Sequence, residues 1–411
     1  MEAPDTRDPA KPVRSRGFIL GSLSVGHGLA HLYDFGLPAV MPTIASSLGL
    51  SNLQVATLHG IRMAGFGVVN LGGGPVVDTT RRHWGLILTG CMVWAALAFA
   101  VVAGSPNFGI LVVGIIFLSI PGALWHLPAT AALSQQFPDR RGFAISMHGF
   151  GSNIGNALGP LLAGALLGVL FWRYALLIYT GPALALAIFV WWSLKDLGRD
   201  GRAEEIRLGA RFRGALELLK QPIIAVIILA ATLRSIGLDA LFHWTPFYLE
   251  EDLNASNLRA GLYLSLLTGM GIVSGPVLGA VSDRWSRKSV LVPCLALATA
   301  FSLAVVALGD SLALPLVLAA MGLFSFSLHH IMQAALLDVA PRGTEATATG
   351  LMFGINGAAG AASPFLAAVV IDHLGGYGSI YYYSGILTGL TALMLLVVPM
   401  RSSVRGPQPV A

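Results

Sequence analysis

The chain of 411 residues is 55% hydrophobic and only 11% charged, with 49 glycines, a net charge of +5 and a mean hydropathy of +0.73. Soluble domains carry about 25% charged residues, so this composition excludes a water-soluble globular protein and indicates a protein of the lipid bilayer. Loop residues that orient the chain in the membrane account for the basic charge, and no nucleic-acid partner is predicted.

Apolar segments long enough to cross about 30 Å of hydrocarbon recur along the chain. They are predicted to be twelve helices, because backbone groups in lipid must be hydrogen-bonded within the segment and the sequence lacks the alternation of a β-barrel. In chain order they cover 17–43, 53–77, 84–104, 109–134, 142–170, 173–194, 221–248, 258–281, 288–308, 312–337, 345–371 and 379–400. The predicted fold class is therefore an all-α polytopic membrane protein.

The distribution of the 25 Lys and Arg residues predicts the orientation. Arg173 and Arg259 fall in loops on one side, Arg62 and Arg234 fall within helices, and all the others fall on the side of the N-terminus. The positive-inside rule then places both termini in the cytoplasm, with the chain in the inner (cytoplasmic) membrane of the cell. The first apolar run, at roughly 27 residues, is too long for a signal-peptide core and is predicted to be retained as a helix.

An internal repeat divides the helices into two sets. The fragments LSNLQVATL (50–58) and ASNLRAGLY (255–263) share Ser-Asn-Leu at an offset of 205 positions. The same offset relates Asp34 to Asp239, Gly74 to Gly279, Asp78 to Asp283, Arg82 to Arg287 and Gly155 to Gly360. Matches spread this widely predict two pseudo-symmetric six-helix bundles. The predicted domains are a cytoplasmic tail 1–16, bundles 17–194 and 221–400, a cytoplasmic linker 195–220 between them, and a cytoplasmic tail 401–411.

Parallel repeats of this kind are typical of alternating-access transporters, whose substrate site lies between the halves. The segments GPVVDTTRR (74–82) and GAVSDRWSRK (279–288) resemble the loop signature G-x-x-x-D-R/K-x-G-R-R/K of the major facilitator superfamily. The first copy departs from it at Thr79 and Arg81, and the second at Ser286. The resemblance implies gating at the inner helix ends by Asp78, Arg82, Asp283, Arg284, Arg287 and Lys288, with Asp338 beside them. The alternative is that these charges only set the topology.

Two further resemblances indicate which kind of transporter within the superfamily the chain is similar to. GNALGPLLAG (155–164) resembles a fifth-helix motif of proton-coupled drug exporters, with Gly155, Gly159, Pro160 and Gly164 as its helix-packing residues; the alternative is generic small-residue packing. GHGLAHLYDFGLP (26–38) and the segment 122–164 resemble the fosmidomycin-resistance branch of the superfamily. The arginine that drug exporters carry in the fourth helix is missing, which favours a mechanism centred on histidine.

Ionisable residues at membrane depth are costly and mark functional sites. His27, His31 and Asp34 form one stripe of the first helix, and Asp239 and His243 lie one turn apart in the seventh. These five residues are the predicted proton-coupling site. The predicted substrate-binding residues are Arg62, Arg234, Trp125, His126, Trp244, His329 and His330. Two alternatives stay open: Asp34 and Arg62 form a structural ion pair, and His59 and His148 bond only to backbone carbonyls.

The favoured function is proton-coupled efflux, by antiport, of a small drug-like or anionic compound. The proton gradient is the energy source, no cofactor is predicted, and one chain is the functional unit. The alternative is a proton-coupled uptake carrier for an organic anion that binds Arg62 and Arg234.

An enzyme is not predicted: His27-x-x-x-His31 resembles one histidine box of a di-iron desaturase, but such enzymes need several. Cys91 and Cys294 lie in predicted helices, so neither a disulfide nor a metal site is predicted.

Overall fold

The computed structural model describes residues 14–198, 217–341 and 344–398, excepting the side chains of 71–76, 78–79, 141–142 and 345–347. Most of the predicted tails 1–16 and 401–411, and most of the linker 195–220, lie outside these residues. The described residues are largely helical and include no strand.

The helices follow the apolar segments of the sequence. Labelled in chain order, they are α1 Arg16–Leu48, α2 Asn52–Thr79, α3 Trp84–Gly104, α4 Phe108–Gln136, α5 Arg141–Leu167, α6 Trp172–Leu194, α7 Pro222–Phe247, α8 Asn257–Arg284, α9 Arg287–Leu308, α10 Leu314–Val339, α11 Glu345–Leu374 and α12 Ser379–Val397. Short turns interrupt α6 at Tyr179, α8 at Met270 and α10 at 326–327, and a π-helical turn, Tyr248–Asp252, continues α7. Each predicted span overlaps in sequence with one of these helices.

The limits of α1 show how local chemistry sets a helix boundary. The Ser15 side chain accepts the backbone N–H of Phe18 at 3.2 Å and caps the start. The helix continues past Pro38 and Pro42 and ends where Gly49 adopts a left-handed φ of 62°. The predicted end at residue 43 is therefore wrong by five residues, because the left-handed glycine sets the stop.

Nine helices of the described chain are long and apolar enough to cross a membrane. The helices α1, α2 and α5 are outside this group, although they contain 33, 28 and 27 residues. At 1.5 Å per residue each exceeds the thickness of about 30 Å that a span requires. Their hydropathy is lower because their sequences contain polar residues at membrane depth, among them Asp34, Arg62 and His148.

The apolar cores divide the molecule into two halves, α1–α6 and α7–α12. One end of the bundle carries Arg16, Arg81, Lys195, Lys220 and Arg287, and it is called here the basic end. Near the basic end each half has its own core, one around Trp84 and one around Ile227. Toward the opposite end a single larger core contains residues of both halves. Among the described residues, the apolar core that both halves share therefore lies toward the end opposite the basic one.

Polar contacts between the halves follow the same distribution. The hydrogen bonds across the halves that join two described residues lie at the opposite end or at mid-depth. They are Asn52 to Asp372 at 2.6 Å, Tyr377 to Asn52 at 3.0 Å, Asn257 to Thr43 at 3.3 Å and Thr268 to the carbonyl of Asn156 at 2.8 Å. This arrangement closes the interface at the opposite end.

Candidate functional site

The carboxylate of Asp34 forms an ion pair with Arg62, which joins α1 to α2. Nη2 of Arg62 donates to Oδ1 of Asp34, and the two side chains are 8% and 20% exposed. Asp34 also lies against α4, where a Cβ added to Gly122 would come within 3.0 Å of its Oδ2. A buried pair of this kind holds each charge only while its partner is present, because removing one member leaves the other uncompensated.

His31 was predicted to act together with Asp34, but its hydrogen bond goes elsewhere. Its Nδ1 donates to Oδ1 of Asn156 on α5 at 2.7 Å. The stripe on α1 thus splits: Asp34 faces Arg62 of α2, whereas His31 faces α5.

His27 lies in a cluster of four imidazoles from three helices. Its ring centroid is 4.6 Å from those of His31 and His126 and 4.0 Å from that of His148. Its Nδ1 donates to the backbone carbonyl of His148 at 2.8 Å. Among the histidines, sequence spacing related His27 only to His31, and the packing of α4 and α5 on α1 adds His126 and His148.

Asp239 differs from its repeat counterpart Asp34 in having no ion pair among the described residues. Ser235 lies 3.4 Å from its Oδ2, and a Cβ added to Gly360 on α11 would come within 3.1 Å of the same atom. Arg234 instead donates to the carbonyl of Ser325 on α10 at 3.1 Å. His243 donates to the backbone carbonyl of Asp239 at 2.7 Å, not to its carboxylate.

Two ring contacts connect these groups across the halves. The ring centroids of His59 and His243 are 4.2 Å apart, and those of Phe35 and Phe242 are 4.5 Å apart. His59 lies one turn before Arg62 on α2, and His243 lies one turn after Asp239 on α7. The contact of His59 with His243 was missed by sequence reasoning, because the spacing within one helix carries no information about the other half.

The remaining predicted substrate residues occupy separate places. His329 and His330 are adjacent, with ring centroids 3.7 Å apart, and follow Ser325, the contact of Arg234, by about one turn of α10. Trp125 is fully buried in the core of its own half and Trp244 in the core that both halves share, so neither ring is accessible in this conformation.

The predicted gating residues Arg287 and Lys288 form their described contacts within the C-terminal half. Arg287 pairs with Asp283 and, at 3.0 Å, with Asp338. Lys288 donates to the carbonyls of Leu396 and Val398, and Arg284 is exposed. In the N-terminal half Arg82 is exposed, and the side chain of Asp78 lies outside the described residues. The basic end thus has no ion pair between the halves in the described part of the chain.

The glycines of the fifth-helix motif bring backbones into contact. A Cβ at Gly155 would come within 2.8 Å of the Leu32 nitrogen, and one at Gly159 would be equally close to the Gly36 nitrogen on α1. A Cβ at Gly164 would lie 3.0 Å from Cα of Gly261 on α8, in the other half. The motif therefore packs α5 on α1 and, with its last glycine, on the opposite half.

The Gly159→Leu variant is expected to lower the unfolding temperature of the detergent-solubilised protein. Overpacking typically costs about 1–3 kcal/mol, and the neighbours of Gly159 are backbone atoms that cannot rotate away. Gly149→Leu is the control, because a Cβ at Gly149 on the same helix meets nothing within 4 Å. Equal unfolding temperatures for both variants would contradict the packing role.

Comparison with known proteins matches residues 23–327 and 249–410 to the Major Facilitator Superfamily. The Fosmidomycin resistance protein of Escherichia coli (strain K12) is 22% identical over 279 residues, which are 66% of this chain and 67% of the relative. The probable sulfoacetate transporter SauU of Cupriavidus necator is 23% identical over 418 residues, covering 96% of each chain. The crystal structure of the nucleoside transporter NupG is similar at a TM-score of 0.79 and 13% identity, covering 93% of this chain and 100% of that one. At this identity the likeness to NupG concerns the fold alone.

Proposed function

The chain belongs to the Major Facilitator Superfamily, and on this premise we propose that it is a proton-coupled exporter of small drug-like compounds. It works by alternating access between two six-helix bundles, which together span the membrane twelve times. The basic end faces the cytoplasm. The conformation described above, closed at the opposite end, is then the one that accepts substrate from the inside.

The observation that carries the coupling proposal is the buried Asp34–Arg62 pair. Asp34 is a carboxylate at membrane depth whose charge is balanced by one described cation. A proton and a substrate that contacts this carboxylate are alternative occupants, and such competition is what exchange of one for the other requires. Proton binding removes the charge of Asp34, releases Arg62 and changes the contact between α1 and α2.

Asp239 is the second proposed proton site. It has no ion pair among the described residues, and its neighbour His243 contacts His59 of the other half. A change in the charge of Asp239 therefore acts next to a contact that must break when the opposite end opens.

Arg62 also favours a second candidate, an uptake carrier for an organic anion. An anion can bind Arg62 only when Asp34 no longer occupies it, which happens when Asp34 is protonated. Substrate and proton would then travel together. The similarity to a probable sulfoacetate transporter supports this candidate, whereas the similarity to a fosmidomycin resistance protein supports export.

The direction of proton movement separates the two. Proteoliposomes that contain a pH-sensitive dye are given fosmidomycin or sulfoacetate on the outside. Exchange moves protons out as the compound enters, so an exporter makes the lumen more alkaline. Co-transport makes the lumen more acidic, and the sign does not depend on how the protein is inserted. We expect fosmidomycin to make the lumen more alkaline. Acidification with either compound would contradict the export proposal and support the uptake carrier. Protein-free liposomes give the baseline.

A further inference from the structure

The histidine cluster of the N-terminal half has the composition of a metal site. His27 on α1, His126 on α4 and His148 on α5 each offer a ring nitrogen, and these nitrogens lie within 4.8 Å of one another. His27 is 6% and His148 is 2% exposed. Three imidazoles from three helices thus converge on one point inside the protein.

The hydrogen bonds leave coordinating nitrogens available. The Nδ1 of His27 bonds to a carbonyl, which can only accept, so this nitrogen carries the proton and Nε2 carries the lone pair. Nε2 of His27 and both ring nitrogens of His148 are buried without a hydrogen-bond partner among the described residues. Metal-bound histidines typically donate their other N–H to a carbonyl or carboxylate, as His27 does here.

We propose that His27, His126 and His148 bind a divalent transition-metal ion of the zinc class. Zinc binds imidazole nitrogen at about 2.0–2.1 Å, so ligands of a tetrahedral site are about 3.4 Å apart. The observed separations, up to 4.8 Å, must shorten by about 1.4 Å. The His148 ring, now stacked on that of His27 at an interplanar angle of 12°, must also rotate so that both lone pairs point at the ion. Three protein ligands leave a fourth position for water, which is the arrangement of open zinc sites.

The position of the site defines what the ion does. All three ligands belong to the N-terminal half, so the ion joins α1, α4 and α5 without joining the two halves. It leaves the rocking of the halves possible and stabilises one of them, because a ligand that binds the folded state alone raises the unfolding temperature. The sequence predicted no metal site, since His27 and His31 were the only pair at recognisable spacing.

The test uses the full chain, purified in detergent without a histidine tag and titrated with Zn²⁺ against a fluorescent zinc indicator. One equivalent of Zn²⁺ is expected to bind. His126→Gln and His148→Gln are each expected to weaken binding at least about tenfold, the loss that changes to the hydrogen-bond partners of metal ligands already cause. His373→Gln is the matched control, because His373 is exposed on α11 and bonds only to the carbonyl of Val369. Zn²⁺ is also expected to raise the unfolding temperature of the wild type and of His373→Gln, but not that of His126→Gln or His148→Gln.

Co²⁺ provides a measurement that needs no variant. A site of three imidazoles and water gives the intense visible absorption of four-coordinate Co²⁺, which octahedral Co²⁺ in buffer lacks. Wild-type protein without this absorption and without a zinc equivalent would overturn the proposal, as would equal binding in all three variants. Because nothing is transported in these measurements, their outcome is independent of the proposed export.

Discussion

Asp34→Asn is expected to reduce transport driven by a pH gradient at least about tenfold, because ionisable groups at membrane depth carry the coupling in transporters of this kind. The amide fills the place of the carboxylate but neither binds nor releases a proton. Counterflow of labelled against unlabelled substrate, which needs no net proton movement, is expected to persist. The two assays on the same proteoliposomes therefore separate loss of coupling from loss of the protein.

The same variant is also expected to destabilise the fold, since Arg62 is left buried without its counter-charge. Breaking a buried pair in this way costs about 3–5 kcal/mol. The double variant Asp34→Asn/Arg62→Gln removes both charges, so it is expected to regain stability while staying uncoupled. Asp139→Asn serves as the control, because Asp139 is a half-exposed carboxylate whose ion pair with Arg16 lies within one half. If Asp34→Asn keeps full gradient-driven transport, the coupling proton binds elsewhere.

Joining the halves at the closed end is expected to abolish transport reversibly. Asn52 on α2 and Asp372 on α11 are hydrogen-bonded at 2.6 Å, one from each half. Cysteines at these two positions, joined by a short bis-methanethiosulfonate cross-linker that forms a disulfide with each thiol, fix the closed end and prevent the outward-open state. Transport should return on reduction of the cross-link. The native Cys91 and Cys294 are buried and free, so they do not compete for the reagent.

A second cysteine pair controls for the chemistry of the reagent. Arg259 on α8 and Asp310, just before α10, form an ion pair at the same end but within one half. Cross-linking Arg259→Cys to Asp310→Cys is expected to leave most of the transport intact. A cross-linked Asn52→Cys/Asp372→Cys protein that still transports would show that this interface does not open in the cycle.

The helices were predictable because lipid permits few solutions for an apolar segment, and their order follows from the chain. The end of α1 was predicted five residues too early, because the predicted span followed the apolar run, whereas the helix continues to the left-handed Gly49. The division into two halves came from the repeat, and the apolar cores of the structure follow it at the basic end.

The candidate site was predictable as a set of residues and not as a set of contacts. Spacing along α1 placed His27, His31 and Asp34 on one stripe, but the rotation of neighbouring helices decides what each one meets. Asp34 meets Arg62 of α2, and His31 meets Asn156 of α5. Contacts such as His59 with His243 depend on the relative placement of the halves, which no local pattern encodes.

The large core shared by both halves at the closed end has a practical consequence for engineering. In the proposed alternating-access cycle this surface separates and forms again, so the favourable energy of its burial is also part of the barrier to opening. Substitutions selected for heat resistance in detergent will include some that tighten this interface. Such variants are suited to crystallisation but are expected to transport slowly. Ranking candidates by melting temperature alone will therefore select variants that stay in the closed state.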